Sequence, residues 1–320
     1  MTTTAAAALR ARLHDPDQIS GSQKLMIMVL AMTLYGTADI VADILPKFEV
    51  GSLELEVAYL AFLPVVLAAL LTPLWVALGV AIGEAVIADM LLGSFSGIGE
   101  IEGFLQIFVG TYVAGCIVKD PRKPAQLFWA AMALVSIDKV TSGVIDVVKF
   151  GVGVDPEAGE EAGGGMSAVI LAETIELGLA LVITGAIFGG LVAIGLAPRL
   201  YGKIEPLMGL RPRDPQRPPR LVGPWGSPFW PAAALGILLA AATGIFSQWE
   251  EHFEVANPLT TFGEWEAEGA EEFAESSAWL GALGGLVAGL ALVALVAALR
   301  ARAAHRSLTA DAAAGDEDDD

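Results

Sequence analysis

Cysteine and histidine are scarce in this sequence. Of 320 residues, one is cysteine, Cys116, and three are histidines, His14, His252 and His305, all outside the apolar stretches. A single cysteine excludes a disulfide framework and a thiolate metal site, and the histidine positions exclude a histidine-based dyad or metal site inside an apolar stretch. No Walker-type glycine-rich loop is present. We therefore predict that the chain is not an enzyme, is no ATPase and needs no cofactor.

Positive charge is also in short supply. The chain has 18 Lys and Arg residues against 37 Asp and Glu residues, which gives a net charge of -19. Such acidity argues against nucleic acid as a partner. An acidic, lysine-poor composition is typical of proteins adapted to high salt, so the sequence indicates a halophilic source.

Apolar residues, by contrast, are abundant, at 55% of the chain with a mean hydropathy of +0.62. A transmembrane helix needs ~20 mainly apolar residues. Eight stretches qualify approximately, with a break at Thr72-Pro73 because proline ends a helix: 24–46, 53–72, 74–93, 103–118, 126–149, 167–197, 229–248 and 277–299. The sequence therefore predicts an all-α polytopic membrane protein with eight transmembrane helices, multi-pass in the cell membrane and surrounded by lipid.

Basic residues orient these helices. Fifteen of the 18 Lys and Arg residues lie in alternate gaps between the apolar stretches, and the positive-inside rule makes those gaps cytoplasmic, with both termini inside. The predicted organisation is a cytoplasmic N-terminal segment 1–23, a six-helix membrane core 24–198, a Pro/Arg-rich cytoplasmic linker 199–228, a transmembrane hairpin 229–300 with an acidic extracellular loop, and an acidic cytoplasmic tail 301–320.

Charged residues inside the apolar stretches are the main functional signal. Each costs ~2.5–3.5 kcal/mol to insert at the centre of a membrane helix and is a candidate for function. Placed by the predicted orientation, they fall in the outer half of the bilayer and predict a polar pocket open to the outside. The predicted substrate-binding residues are Asp39, Glu84, Gln106, Asp138, Lys139, Ser142, Asp146, Glu173 and Glu176. The excess of carboxylates predicts a cationic or amine-bearing ligand, with a metal ion as another reading and a purely structural ion pair as the alternative for single residues.

One segment resembles a known family. Residues 55–93 read LEVAYLAFLPVVLAALLTPLWVALGVAIGEAVIADMLLG, with Pro64, Thr72-Pro73, the pair Gly79 and Gly83, and then Glu84 or Asp89. This pattern resembles the second and third helices of the substrate-binding S components of energy-coupling factor (ECF) transporters. The resemblance implies a six-helix core that binds a vitamin or small nutrient and works with separate ATPase and transmembrane coupling subunits. The C-terminal hairpin is extra to a usual S component.

Two other functions fit the same residues. In a proton- or sodium-coupled secondary transporter, the intramembrane carboxylates would exchange ions with substrate. In a non-transporting membrane scaffold, the hairpin and its acidic loop would bind a partner protein.

Overall fold

The computed structural model describes residues 19–44, 48–50, 53–55, 58–89, 100–153 and 164–252, and these are mostly helical. The elements are α1 (Gly21–Ile44), β1 (Phe48–Val50), β2 (Leu53–Leu55), α2 (Phe62–Leu70), α3 (Pro73–Ile82), a first π-helix (Gly83–Asp89), α4 (Glu100–Ile117), α5 (Pro124–Val152), α6 (Met166–Ala180), a second π-helix (Leu181–Leu191), α7 (Val192–Leu200), α8 (Ile204–Leu207), a 3-10 turn (Pro224–Gly226) and α9 (Phe229–His252). All but the 3-10 turn belong to one compact unit, Met1–Gly223 with Pro228–Glu264. The predicted helix 277–299, most of the acidic loop, the tail and most of segment 1–23 lie outside the described residues.

The predicted break at Thr72-Pro73 is confirmed. Helix α2 ends at Leu70 and α3 begins at Pro73, where the missing N–H of proline removes no helical hydrogen bond. Helix α2 has only nine residues, about 14 Å at ~1.5 Å per residue, against a hydrocarbon core of ~30 Å. The predicted span 53–72 is therefore not one helix in the structure: residues 53–55 form a strand, and the helix covers Phe62–Leu70.

The predicted span 53–72 begins with the second strand of a β-hairpin. Strands β1 and β2 pair antiparallel with Val50 opposite Leu53, so that only Gly51 and Ser52 connect them. Glycine followed by serine between two strand-forming segments is a hairpin signal. Hydropathy alone does not separate a short apolar strand from the beginning of a helix, which is why the all-α prediction omits this element.

Helix α2 is the centre of the helix bundle. Seven of its nine residues, Pro64 to Leu70, are buried, and it packs against α1, α3, α4, α5 and α7. A helix that is apolar on all sides is stable where other helices surround it. The two ends of α2 therefore mark the two ends of the packed core.

Helices α1 and α3 approach each other closely at glycines. A Cβ at Gly79 would overlap the carbonyl oxygen of Met28, and one at Gly83 would overlap that of Met32. From the other side, a Cβ at Gly36 would lie 2.5 Å from the carbonyl oxygen of Gly83. The four-residue spacing of Gly79 and Gly83 predicts this contact, since small residues let helix backbones meet, and the structure confirms it.

Three stretches in the described part of the chain are long and apolar enough to cross a membrane: Gly21–Ala42, Glu100–Ile117 and Met166–Leu200. Large apolar side chains are exposed along α1, α5 and α9, which suits a lipid boundary better than water. The structure therefore supports a mostly helical membrane protein. The count of eight spans and the cytoplasmic placement of both termini stay predictions.

The segment after α7 folds onto the core, although its proline and arginine content predicts a linker. The side chain of Arg213 is 5% exposed. Its guanidinium donates to the carbonyl oxygens of Ala68 and Leu71 at 2.6 and 2.9 Å and to those of Gly115 and Val118 at 2.8 and 2.6 Å. These carbonyls lie at the C-terminal ends of α2 and α4, where the helix dipole favours a cation. One arginine thus joins two helix ends.

Two carboxyl groups near this segment have shifted pKa values. Glu205 is fully buried, and its Oε2 accepts a hydrogen bond from the Gly202 N–H at 2.8 Å; burial raises the pKa of Glu205 above its usual value. The Arg122 side chain donates to Asp120 at 3.0 Å, and this hydrogen bond holds the pKa of Asp120 below its usual value. The buried Glu205 is therefore a pH-dependent element of stability.

Candidate functional site

Two buried tyrosines and three partly buried carboxylates from four segments form a polar group, named here the tyrosine-carboxylate cluster. Its members are Tyr35 and Asp39 on α1, Tyr59 just before α2, Glu84 on the first π-helix and Asp138 on α5. The two tyrosine rings meet edge to face, with centroids 6.4 Å apart. Both tyrosines are buried, and both lie within electrostatic range of all three carboxylates.

One of the two tyrosine hydroxyls in this cluster has no partner in the described protein. The Tyr35 hydroxyl makes no hydrogen bond among the described residues. The Tyr59 hydroxyl faces the Asp138 carboxylate, within reach of a side-chain hydrogen bond. A buried hydroxyl without a partner costs ~1–3 kcal/mol. The fold therefore keeps the Tyr35 hydroxyl beside carboxylates at a cost in stability.

Contacts between segments hold the side chains of the tyrosine-carboxylate cluster near one another. The close contact between α1 and Gly83 sets the next residue, Glu84, beside α1. The Ala58 N–H donates to the Thr184 hydroxyl at 3.2 Å, which ties the residue before Tyr59 to the second π-helix. Gly83 and Thr184, which make these two contacts, both lie on π-helices. Such helices are rare overall but common at functional sites.

A second group, named here the Lys149 network, lies between α4 and α5. The Lys149 ammonium contacts Glu102 Oε2 and Asp146 Oδ1, each at 3.2 Å. The Gln106 amide donates to Glu102 Oε1 at 3.2 Å, and the Ser142 hydroxyl donates to Asp146 Oδ2 at 3.2 Å. Each charged group in the network thus has a partner of opposite charge, as ions with little access to solvent require.

Helix α9 covers the Lys149 network. A Cβ at Gly244 would lie 2.6 Å from Glu102 Oε2 and 3.9 Å from Lys149 Cε, so any larger residue would have to displace the Glu102 carboxylate. Glu102 and Lys149 are each 8% exposed. Breaking a buried ion pair from one side costs more than the pair contributes to stability. The network therefore joins α4 to α5 by ion pairs, and α9 packs against it.

The remaining predicted residues lie at the contact between α5 and α6. Lys139 donates to Glu176 Oε1 at 2.8 Å, and the Glu176 side chain is 57% exposed. A Cβ at Gly143 would lie 2.8 Å from Glu173 Oε2, so Glu173 packs against the backbone of α5. This pair and Glu173 form a more open polar surface than the other two groups.

The nine predicted site residues thus fall into three groups along α5. They are Asp39, Glu84 and Asp138 with the tyrosines; Gln106, Ser142 and Asp146 in the Lys149 network; and Lys139, Glu173 and Glu176 between α5 and α6. The predicted set omits Tyr35, Tyr59, Glu102 and Lys149. The signals that mark them are tyrosines inside apolar stretches, a glutamate four residues before Gln106 and a lysine three residues after Asp146.

A bundle of long apolar helices with a cluster of carboxylates and buried tyrosines defines a helical membrane protein with a polar site between its helices. Among the described residues, no group of three or more His, Cys, Asp or Glu side chains could hold a metal ion. The chain belongs to the family described as "Family of unknown function (DUF8171)", whose model matches residues 26–307. No curated protein and no solved structure matches the chain.

Proposed function

We propose that the protein binds a small cationic or amine-bearing solute in the membrane, at the tyrosine-carboxylate cluster, as the substrate-binding subunit of a nutrient importer of the ECF type. The single observation that carries the proposal is the buried Tyr35 hydroxyl, which has no hydrogen-bond partner among the described residues and interacts with three carboxylates. The coupling to separate ATPase and transmembrane subunits rests on the resemblance in residues 55–93.

The charge of the cluster favours a cation. Three carboxylates interact with each tyrosine, and the basic side chain of Lys139 is shared between Asp138 of this cluster and Glu176. The carboxylates therefore outnumber this lysine, and an excess of partly buried negative charge favours binding of a positive charge. An ammonium group supplies that charge, donates to the carboxylates and to a tyrosine oxygen, and leaves the tyrosine O–H groups to donate to other oxygens.

The replacement Tyr35→Phe separates binding from folding. It removes a hydroxyl that has no hydrogen-bond partner among the described residues but keeps the ring that packs on Tyr59, so the thermal stability should be unchanged or higher. Solute binding should weaken by about 10- to 100-fold, the range for one hydrogen bond in a charged site. Asp138→Asn should weaken it too.

Binding is measured with purified protein and a panel of mono- and diamines, after mass spectrometry has identified any small molecule that co-purifies. Asp120→Asn is the matched control, because that carboxylate is paired with Arg122 outside the cluster. Wild-type affinity in both Tyr35→Phe and Asp138→Asn would exclude the cluster as the binding site.

A transport assay tests the mode of coupling. Proteoliposomes containing only this chain should bind the solute without accumulating it, because an ECF-type subunit depends on separate ATPases. Accumulation driven by a proton or sodium gradient alone would instead identify a secondary transporter that uses the same carboxylates. Absence of any bound solute would leave the scaffold function.

A further inference from the structure

A second candidate binding site lies at the other end of α2, away from the tyrosine-carboxylate cluster. It is a cavity of about 380 Å³, formed by the start of α1, the turn between α2 and α3, Tyr112 of α4 and the segment 211–220. Small-ligand pockets commonly measure ~300–1,000 Å³. The cavity is therefore large enough for a headgroup-sized molecule.

The cavity is strongly basic in an acidic protein. Five basic residues and one acidic residue, Asp214, line it. The basic residues are Lys24, Arg211, Arg213, Arg217 and Arg220. The chain as a whole carries a net charge of -19, so this place concentrates the opposite sign. Clefts lined by one sign of charge attract ligands of the other sign.

A helix N-terminus opens into the same cavity. Pro73 is the first residue of α3, and Leu74 and Trp75, which follow it, also line the cavity. Backbone N–H groups in the first turn have no acceptor within their own helix, and the helix dipole favours an anion there. Helix α3 thus adds N–H donors to the basic side chains.

Thr72 supplies an independent sign of a ligand. It precedes α3, lines the cavity and is 7% exposed. Its hydroxyl makes no capping hydrogen bond, and Oγ1 has no hydrogen-bond partner among the described residues. A hydroxyl in this position can donate to an anionic oxygen bound at the helix N-terminus.

The walls of the cavity are held in place by other contacts. The Lys24 ammonium lies 5.5 Å from the centroid of the Trp75 ring. The Tyr112 hydroxyl donates to the carbonyl oxygens of Arg220 or Val222 at 3.2 and 3.3 Å, which fixes the basic segment over the end of α4. Tryptophan and lysine at the end of an apolar helix are typical of the headgroup region of a membrane.

We propose that this cavity binds a phosphate-bearing anion, supplied by the headgroup of an anionic phospholipid. Arg213 is already bonded to four helix carbonyls and contributes its charge, while the exposed Arg217 and Arg220 contact the phosphate together with the Thr72 hydroxyl and the α3 N-terminus. Basic pockets between membrane helices bind phospholipid headgroups in the same way. The site is separate from the one in the proposed function and does not depend on it.

The test uses three probes on the purified, delipidated protein. Dioctanoyl phosphatidylglycerol presents the phosphate on a lipid, inorganic phosphate presents it free, and dioctanoylglycerol presents the lipid without phosphate. The variants are Thr72→Val, which keeps the shape of the side chain, and the double variant Arg217→Gln with Arg220→Gln. The double variant Arg199→Gln with Lys203→Gln is the matched control. Both residues are exposed basic residues of the predicted linker 199–228, and neither lines the cavity.

The phosphatidylglycerol probe should bind the wild type and the control equally, and the double arginine variant about 25-fold more weakly, at roughly fivefold per basic residue near a membrane surface. Thr72→Val should also weaken it. Inorganic phosphate binding as tightly as the lipid would support the phosphate site but assign it to a soluble anion. Equal binding of dioctanoylglycerol, or unchanged affinity in both variants, would overturn the proposal.

Discussion

The hydrogen bonds that Arg213 makes to the ends of α2 and α4 lead to a prediction with a definite magnitude. Its guanidinium donates four hydrogen bonds of 2.6 to 2.9 Å to backbone carbonyls and is 5% exposed. Arg213→Ala removes all four donated hydrogen bonds together with the positive charge that they carry. Arg213→Lys keeps the charge but loses the planar fork.

The four bonds set the size of the effect. A hydrogen bond from a charged donor contributes ~1.5–3 kcal/mol, so four would contribute roughly 6–12 kcal/mol if nothing replaced them. Water entering the adjacent cavity can replace part of that, and truncating one partner of a buried charged contact typically costs ~3–5 kcal/mol. We expect Arg213→Ala to lower the free energy of unfolding by about 3–5 kcal/mol and Arg213→Lys by about half as much.

Thermal and denaturant unfolding in detergent, followed by tryptophan fluorescence, measures these differences. Arg122→Gln is the control, because its side chain is 56% exposed and pairs with a single carboxylate, and exposed ion pairs contribute little to stability. The reasoning fails if Arg213→Ala unfolds within ~0.5 kcal/mol of Arg122→Gln, a difference typical of neutral surface changes.

Three further variants test other parts of the structure. Gly83→Ala should destabilise the protein by about 1–3 kcal/mol, because the new Cβ would meet the backbone oxygen of Met32. Gly103→Ala is its control: a Cβ there has nothing within 4 Å, so this variant should be neutral or stabilising in the same unfolding assay. Glu205→Gln should raise the unfolding midpoint at pH 8 more than at pH 4.5. Burial raises the pKa of Glu205 in the folded protein, so the stability of the wild type falls as the pH rises from the unfolded pKa of about 4.3 through the folded pKa. An equal effect at both pH values would refute this. Lys149→Met should destabilise by ~3–5 kcal/mol, because it leaves the buried Glu102 carboxylate without its cation, and Glu102→Gln in the same background should recover part of the loss.

Several features of the fold follow from short-range sequence patterns. The proline at position 73 ends one helix and begins another, and the spacing of Gly79 and Gly83 marks a close helix contact. Both depend on properties of a few neighbouring residues, and both are confirmed. The hairpin and the shortness of α2 do not follow from hydropathy, because apolar residues are common to buried strands and buried helices.

The site divides in the same way. Which ionisable residues lie in apolar stretches can be read from the sequence alone, because the cost of burying a charge makes them conspicuous along any helix. The pairings need the folded structure: Tyr59 faces Asp138, Lys149 contacts Glu102, and Arg213 donates to a carbonyl 145 residues earlier in the chain. Such pairings depend on how helices rotate and stack around α2, and that arrangement is set by the packing of all helices together rather than by any one segment.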